Sequence, residues 1–461
     1  MRRLVVILLA ATSFAAAAEA APLYFAGEVA GVGDPNPFFE DGTYSVFYLQ
    51  NQGRHPWWMA QTSDLRSWST PVEVVPVGEA GTSDYWTGSG SVVADPDGGY
   101  RLYYTGHNPE ARPKEVTMEA RAETLVGPWT KVPQATFAGL PSYDEWDFRD
   151  PFVFWNAEVE AWWMLMTTRH DGSAAIGLYT SPDLGAWTAA APLYAEESPL
   201  NLEVPDLFTE GGDWFLIYSD QREASRQVRY LNAVDSTGPY AYGPYDALDG
   251  RGFYAGKSAG TGDDRLLFGW VAHKSLRKDA MNFVWGGDLI MHALHRMADG
   301  ALAVSLPAQL GAQFDTERSA LSMGELQAGT PDTAMRIRAT VNVTPGTRFG
   351  IAFTATNSGR VSTLELDTER GDAVFFYNGD PNGAPRVAFP PSPDGAYALD
   401  LVVDPELGLG VLYIDDFRAL SFRYYRVGAT TISLFAVDGF VALDGTVSVR
   451  STDQTGEKPN G

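Results

Sequence analysis

The stretch Gly33–Phe39, GDPNPFF, recurs in altered form as Arg149–Phe154, RDPFVF, and as Glu203–Phe208, EVPDLF. Each copy places a carboxylate ahead of a proline and an apolar segment with the composition of a β-strand. A second apolar strand is predicted after each copy. The three acids therefore repeat at matching places in the sequence motif, which indicates one shared site on a repeat fold.

A second sequence motif, which ends in tryptophan, also recurs along the same part of the chain. It ends at Trp68, Trp129 and Trp187, which are 61 and 58 residues apart. A period of about sixty residues accommodates four strands of ~5–6 residues with their turns, the content of one β-propeller blade. Five such units fit between residues 22 and 308. Their first strands are expected to begin near these positions: Asp34, Gly88, Asp150, Glu203 and Tyr254.

The predicted fold is all-β, a five-bladed β-propeller followed by a C-terminal β-sandwich. We assign residues 21–308 to the propeller and 309–330 to a connection. From Ala334 onward, about eight short alternating strands with frequent turns predict a sandwich over 331–450. The polar segment 451–461 is expected to be a flexible tail.

Composition excludes several classes of function. The 461 residues carry a net charge of −25, which opposes binding to nucleic acid. Cysteine is absent, so disulfides, thiol nucleophiles and Cys-ligated metals are excluded. No phosphate-binding Gly-rich loop occurs and the histidines have no metal-site spacing, so we predict no metal and no cofactor. The 13 tryptophans fit either core packing or contacts with sugar rings.

Residues 1–20 have the features of a secretory signal peptide. Arg2 and Arg3 precede the apolar run Leu4–Ala18, and residues 18–20, AEA, form a small-x-small cleavage site. The run is too short for a confident membrane span. We expect a periplasmic or secreted protein without a membrane partner. The sequence does not predict an oligomeric state.

The three acids suit glycoside cleavage, which needs one ionised and one protonated carboxyl group. Asp34 and Glu203 fit this division, and the longer side chain of Glu203 helps it approach a leaving oxygen. Arg149 adjoins Asp150 and favours its ionised form, which accepts hydrogen bonds from sugar hydroxyls. An Asp before Pro is more commonly a turn residue, and we interpret Asp95 and Asp404 in that way. Recurrence in separate units distinguishes the three acids from such turns.

Six short motifs resemble those of glycoside hydrolase family 32, the invertases, inulinases, levanases and related β-fructosidases. The order and spacing of the motifs hold from about residue 30 to 310. They are Gly33–Asn36, Trp86–Ser89, Arg149–Pro151, Glu203–Asp206, Phe253–Ala255 and Phe268–Trp270. The resemblance implies a propeller followed by a β-sandwich.

The resemblance also implies roles for the acids. Asp34 would be the nucleophile that forms a covalent fructosyl-enzyme, Glu203 the general acid/base and Asp150 the transition-state stabiliser. Arg149 would orient the acids and the sugar. Five further positions align loosely with sugar-pocket residues of the family: Gln50, Trp57, Trp86, Ser89 and Trp285.

Two departures from the family pattern affect the expected pocket. Residues 31–33 are GVG where the family usually has Trp-Met-Asn, so the Asn that normally contacts substrate is missing. Val204 replaces a Cys that follows the acid/base residue. Neither change removes a carboxylate, so the sequence specifies the type of reaction better than it specifies the substrate.

We therefore predict a retaining glycoside hydrolase that cleaves β-fructofuranosidic bonds in sucrose, levan, inulin or fructo-oligosaccharides. Its partner would be a fructose-containing carbohydrate. Three alternatives stay open: a fructosyltransferase that uses the same acids, an inverting five-bladed glycosidase acting on arabinan or xylan, and a non-catalytic sugar-binding propeller. Retention would require acid and nucleophile carboxyls ~5–5.5 Å apart, against ~6.5–9.5 Å for inversion.

Overall fold

A computed structural model describes residues 22–27, 31–222, 226–322, 327–437 and 440–450. The predicted signal peptide and C-terminal tail lie outside these residues. Within them, the chain is almost entirely β-structure, with one four-residue α-helix, α1 (Ala308–Gly311), and a few 3₁₀ turns. This confirms the predicted all-β class.

The N-terminal region contains twenty strands among its described residues, and every pairing between them is antiparallel. Their bounds are β1 (Val32–Glu40), β2 (Thr43–Gln50), β3 (Trp57–Thr62), β4 (Val72–Val75), β5 (Trp86–Ala94), β6 (Tyr100–His107), β7 (Glu115–Ala122), β8 (Thr130–Lys131), β9 (Phe148–Asn156), β10 (Ala161–His170), β11 (Ser173–Ser181), β12 (Thr188–Ala189), β13 (Tyr194–Glu196), β14 (Leu202–Glu210), β15 (Asp213–Asp220), β16 (Val228–Ala233), β17 (Phe253–Ala259), β18 (Leu266–Lys274), β19 (Phe283–Arg296) and β20 (Leu302–Ser305).

These strands form four sheets. Three are consecutive in the chain: β5–β8, β9–β12 with β13 paired to β11, and β14–β16. The fourth joins the two ends of the region, because the pairing of Val32 with Gly287 connects β1–β4 to β17–β20. Each predicted repeat therefore begins at an observed first strand, namely β1, β5, β9, β14 or β17.

The five first strands contact one another in cyclic order. β1 contacts β5, β5 contacts β9, β9 contacts β14, β14 contacts β17, and β17 contacts β1. Short hydrogen bonds link neighbours in this ring. For example, Ser91 in β5 donates through Oγ to the carbonyl of Pro151 in β9 at 2.9 Å, and Val153 N–H donates back to the same Oγ at 2.9 Å. Residues far apart in sequence thereby reach one central space.

Every first strand is interrupted near its start by a β-bulge. Four of these bulges hold a non-glycine residue at positive φ: Asp34 at 28°, Asp150 at 59°, Val204 at 55° and Ala255 at 55°. Positive φ costs such residues of order 1–3 kcal/mol, and bulges of this kind re-aim side chains beside functional sites. Four of the five first strands thus begin with a strained bulge.

The bulges also correct the predicted equivalence of the three acids. Asp34 and Asp150 occupy the same bulge position, but the corresponding residue of β14 is Val204. Glu203 precedes the bulge by one residue and is structurally equivalent to Arg149. Because successive side chains of a strand point in different directions, Glu203 approaches the central space from a different angle than the two aspartates.

The C-terminal region is a β-sandwich of two six-stranded antiparallel sheets, ordered β21-β32-β23-β28-β29-β30 and β22-β31-β24-β25-β26-β27. One buried apolar cluster contains side chains from both sheets. The strands are β21 (Thr316–Ser322), β22 (Gln327–Gly329), β23 (Met335–Val343), β24 (Arg348–Ala355), β25 (Val361–Asp367), β26 (Asp372–Phe376), β27 (Arg386–Ala388), β28 (Ala396–Asp404), β29 (Leu409–Ile414), β30 (Arg418–Arg423), β31 (Thr430–Ala436) and β32 (Phe440–Val449).

Sheet pairing of the sandwich begins earlier than expected. Strands β21 and β22 lie within residues 309–330, which the sequence assigned to a connection, and they pair with β32 and β31. β21 is exposed along most of its length, so it lacks the clear apolar alternation from which strands are predicted. Asp95 and Asp404 lie at strand-ending turns, which confirms their interpretation from the sequence.

Strand β30 attaches the sandwich to the N-terminal region. Arg423 is buried and donates to Oδ2 of Asp288 at 2.6 Å and to the carbonyl of Val271 at 2.6 Å. The buried carboxylate of Asp249 accepts from the backbone N–H of Ser421 at 2.6 Å. Apolar residues from both regions share one cluster around these contacts. Buried charges are tolerated when they are paired, and the charged groups at this interface have partners on both sides of it.

Candidate active site

The three predicted acids line one cavity of about 810 Å³, which opens where the first strands begin. Asp34 comes from β1, Asp150 from β9 and Glu203 from β14. The sequence predicted that these residues would lie close together, and the structure brings all three onto the same cavity wall.

Asp34 is held by an indole. Its Oδ1 accepts a hydrogen bond of 3.1 Å from Nε1 of Trp270, and its backbone carbonyl accepts one of 2.8 Å from Nδ2 of Asn36. Burial, followed by the negative charge of Asp150, raises the pKa of Asp34 to about 7. The Trp270 hydrogen bond and the positive charge of Lys257 act in the opposite direction.

Asp150 is almost fully buried and accepts two hydrogen bonds at Oδ2. The donors are Thr167 Oγ1 at 2.8 Å and the backbone N–H of Val204 at 3.0 Å. The first contact comes from the partner strand β10, and the second comes from the bulge of β14. Asp150 therefore has a fixed orientation that depends on two neighbouring sheets.

Glu203 is held at both carboxylate oxygens. Nη2 of Arg149 donates to Oε1 at 2.8 Å, and the phenol of Tyr254 donates to Oε2 at 2.8 Å. Burial and the charge of Glu203 raise the pKa of Tyr254 well above its usual range, so the phenol keeps its proton. Arg226 lies over the Tyr254 ring at 4.1 Å, which places a further positive charge beside this group.

The expected effect of Arg149 on Asp150 is corrected by the structure. Arg149 makes its short contacts with Glu203 and with Asp147, at 2.8 and 2.7 Å, and its Nε lies 4.0 Å from Oδ2 of Asp150. Burial raises the pKa of Asp150, and the attraction of Arg149 opposes this shift without reversing it. Adjacency in sequence placed the arginine near Asp150 but did not make the two a close pair.

A buried lysine lies beneath the acids. Nζ of Lys257 donates to Oδ1 of Asn36 at 2.8 Å and to the carbonyl of Gly90. Burial lowers the pKa of Lys257 to about 8, against the attraction of Asp150, Asp206 and Asp34. Because Asn36 also donates to the Asp34 backbone, the ammonium group is connected to the strained segment that carries this acid.

One aromatic wall of the cavity is built on Gly33. A Cβ atom added at Gly33 would lie 2.1 Å from the Trp285 ring, so only glycine fits at this position. Trp285 stacks on His55 with ring centroids 4.2 Å apart and an interplanar angle of 16°. Burial lowers the pKa of His55 to about 4, so the imidazole is neutral. The indole occupies space that a side chain at position 33 would require.

The predicted pocket residues fall into two groups. Ser89, Arg149 and Trp285 line the cavity. Among the described residues that form its wall, Gln50, Trp57 and Trp86 are absent. Gln50 and Trp57 are buried, and Nε1 of Trp57 donates to the carbonyl of Gly88 at 3.1 Å. Trp86 packs edge-on against His55. Trp57 and Trp86 thus contact Gly88 and His55, which line the cavity.

Several site residues were given no role from the sequence. Five of them contact the acids or the adjoining polar network and the sixth, His55, stacks on Trp285; they are Asn36, His55, Thr167, Tyr254, Lys257 and Trp270. A signal existed for three of them, since Asn36, Tyr254 and Trp270 lie inside the motifs Gly33–Asn36, Phe253–Ala255 and Phe268–Trp270.

Among the described residues, no group of three or more Asp, Glu or His side chains is placed to bind one metal ion. None of the described helices has the length and apolar character needed to span a bilayer.

Asp34 and Glu203 lie in different surroundings within the cavity. Asp34 faces an indole N–H and a second carboxylate, whereas Glu203 faces a guanidinium and a phenol, an arrangement suited to acid–base and nucleophilic chemistry.

The chain is similar to several known proteins. Residues 25–295 match the model of the glycosyl hydrolases family 32 N-terminal domain. An insoluble isoenzyme of β-fructofuranosidase from Arabidopsis thaliana is 26% identical over 297 residues, which cover 55% of this chain and 51% of that protein. A levanase from Bacillus subtilis is 25% identical over 414 residues, which cover 78% of this chain and 58% of the levanase.

The chain thus spans about half the length of several curated relatives that it matches. A solved structure covers more of it: an exo-inulinase from Aspergillus awamori superposes with a TM-score of 0.76 over 93% of this chain and 98% of that chain. Its sequence identity is 16%, so this likeness is one of fold, and it extends through the sandwich.

Proposed function

Because the chain belongs to glycosyl hydrolase family 32, we propose that it hydrolyses β-fructofuranosidic bonds with retention of configuration. Its substrates would be sucrose, levan, inulin or fructo-oligosaccharides. The observation that carries the proposal is the convergence of Asp34, Asp150 and Glu203 on one cavity, with Glu203 fixed by Arg149 and Tyr254.

In the first step, ionised Asp34 attacks the anomeric carbon of the fructosyl unit while Glu203 donates a proton to the departing oxygen. The bond between fructose and its partner breaks as the bond to the Asp34 carboxylate forms. The Trp270 N–H holds the nucleophile in one orientation. The phenol of Tyr254 and the guanidinium of Arg149 do the same for Glu203.

In the second step, Glu203 takes a proton from water, which attacks the fructosyl-enzyme and releases Asp34. Asp150 accepts hydrogen bonds from sugar hydroxyls as positive charge develops on the ring in both steps. Its two fixed donors, Thr167 and the Val204 N–H, keep its carboxylate in position without rearrangement.

This mechanism has a defined pH dependence. Asp34 acts only when ionised, and burial raises its pKa to about 7. The rate at low substrate concentration, kcat/KM, therefore falls as the pH drops through about 7, since this parameter reports the free enzyme.

The fold and location are part of the same proposal. The cyclic contacts of β1, β5, β9, β14 and β17 support a five-bladed propeller over residues 21–308, with the acids at one mouth. The sandwich then follows, as the family resemblance implies. Residues 1–20 would direct export, and the N-terminus of the mature protein, read by mass spectrometry, would begin at residue 21.

The decisive experiment measures sugar release from sucrose, levan, inulin, arabinan and xylan. Fructose released from the first three only supports a β-fructosidase, and release from arabinan or xylan supports the inverting alternative. Binding without release from any substrate supports a non-catalytic protein. Oligosaccharide products longer than the substrate identify fructosyl transfer.

Retention is tested by adding methanol as a competing acceptor. A retaining enzyme converts sucrose partly into methyl β-fructofuranoside, because methanol replaces water in the second step. NMR of this stable product avoids the mutarotation of free fructose. Formation of the α-anomer would contradict the proposed covalent mechanism.

A further inference from the structure

The cavity that holds the acids continues beyond the N-terminal region and reaches the sandwich. Its far wall includes Tyr377 and the turn that connects β26 to β27. We call residues 377–385 the sandwich loop. It lies more than 170 residues after the last of the three acids, so only the tertiary structure reveals the proximity.

The sandwich loop has a defined conformation. Asp380 N–H donates to the Tyr377 carbonyl at 3.0 Å, and Nδ2 of Asn382 donates to Oδ1 of Asp380 at 2.9 Å. At its base, Nε2 of Gln227 donates to the carbonyl of Arg386 at 2.8 Å, which ties the hairpin to the N-terminal region. With the buried interface around β30, these contacts hold the loop at a fixed position relative to the acids.

The sandwich loop and Glu203 line the same cavity. Arg251, which also lines it, is the residue of the N-terminal region nearest to Gly383: a Cβ atom added there would lie 3.9 Å from Nη1 of Arg251. Arg251 lies two residues before β17, the strand that carries Tyr254, and Tyr254 donates to Glu203. The loop therefore lies near the strand that holds the acid Glu203.

Resting on the function proposed above, we propose that the sandwich loop binds the leaving portion of an oligofructoside. Glu203 protonates the departing oxygen, so the remainder of the substrate extends from the acid side of the cavity. The exposed amide of Asn382 and the ring of Tyr377, which lies 5.7 Å from Nζ of Lys274, supply hydrogen bonds and a stacking face there. The enzyme is thus a fructan-oligosaccharide hydrolase rather than an enzyme selective for sucrose.

The test compares kcat/KM for sucrose with kcat/KM for fructo-oligosaccharides of three to five sugars. For the wild-type enzyme, we expect the ratio of oligosaccharide to sucrose to exceed about ten. In Asn382→Ala, this ratio should fall about fivefold to tenfold, the effect of losing one or two hydrogen bonds of ordinary strength. Tyr377→Ala should change the ratio in the same direction.

The matched control is Asn357→Ala, an exposed asparagine in another hairpin of the same sheet that is absent from the cavity wall. It should leave the ratio at the wild-type value. A flat ratio in the wild type, or wild-type ratios in both loop variants, would overturn the inference while leaving β-fructosidase activity intact. Failure to release fructose from any substrate would instead overturn the proposed function.

Discussion

The first strands of the N-terminal region and the strands of the sandwich are both antiparallel and largely buried, but their backbones differ. Strands β1, β9, β14 and β17 each contain a non-glycine residue at positive φ inside the strand. In the described part of the sandwich, such residues are confined to turns, at Asn378, Asp415 and Asp416. Strand β23 shows regular alternation of buried and more exposed side chains.

The bulged first strands position the carboxyl groups of the candidate site, whereas the regular strands of the sandwich pack against one another and against the N-terminal region. In the first strands, the bulges turn carboxylates into a shared cavity, where burial and like charges raise the pKa values of Asp34 and Asp150. In the sandwich, buried charges such as Arg423 are paired and fix one region against the other. Substitutions at the bulges of the first strands and at the buried interface around Arg423 should therefore affect different measured quantities.

The largest expected effect is on activity and comes from Asp34→Asn. The variant keeps the shape of the side chain but removes the proposed nucleophile, so kcat on sucrose should fall by about 10⁴-fold or more. Thermal stability should be retained, because a buried like-charge repulsion with Asp150 is removed. The control is Asp171→Asn, an exposed turn residue, which should keep wild-type activity. A wild-type rate in Asp34→Asn would refute the assigned site.

Glu203→Gln should lower kcat on sucrose by about 10²–10⁴-fold, the range typical of losing a general acid/base. For a fructoside whose leaving group is an acidic phenol, Glu203→Gln should slow the first step much less, because the phenolate departs without needing a proton. Burst kinetics measure the rate of the first step separately from that of the second. An equal reduction of the first-step rate for sucrose and for the aryl fructoside would contradict the acid role of Glu203.

Arg423→Met tests the packing side of the comparison. It leaves the Asp288 carboxylate buried without its guanidinium partner, so the free energy of unfolding should fall by about 3–5 kcal/mol. Urea denaturation followed by tryptophan fluorescence measures this change. Arg370→Met removes half-exposed ion pairs with Asp367 and Asp372 and should cost less than about 1 kcal/mol. Equal losses would show that the buried pair does not secure the interface.

The smallest effect concerns the pH profile. Lys257 lowers the pKa of Asp34, so Lys257→Met should raise this pKa further and move the acid limb of kcat/KM to higher pH. The shift has this sign because Asp34 must be ionised to act. The exposed Lys278→Met should leave the profile in place. An unchanged limb in Lys257→Met would show that the lysine does not tune the nucleophile.

Much of the site was predictable because the repeat places its acids at the starts of strands. The motifs around Asp34, Asp150 and Glu203 indicated both the shared location and the chemistry. The roles of Gln50, Trp57 and Trp86 stay predictions, since a tryptophan that contacts a sugar and one that packs against a pocket wall look alike in sequence. β21 was missed as a strand because its exposed residues lack alternation.

By itself, the sequence determined the all-β class, the repeat period and the identity of the carboxylates, because these depend on local patterns of residue type. The tertiary structure alone decided which groups surround each acid. Tyr254, Trp270 and Lys257 reach the site from distant strands, and their contacts set the orientation and pKa of the acids. The approach of the sandwich loop to the cavity was also decided at this level, since it depends on how buried side chains of two separate regions pack.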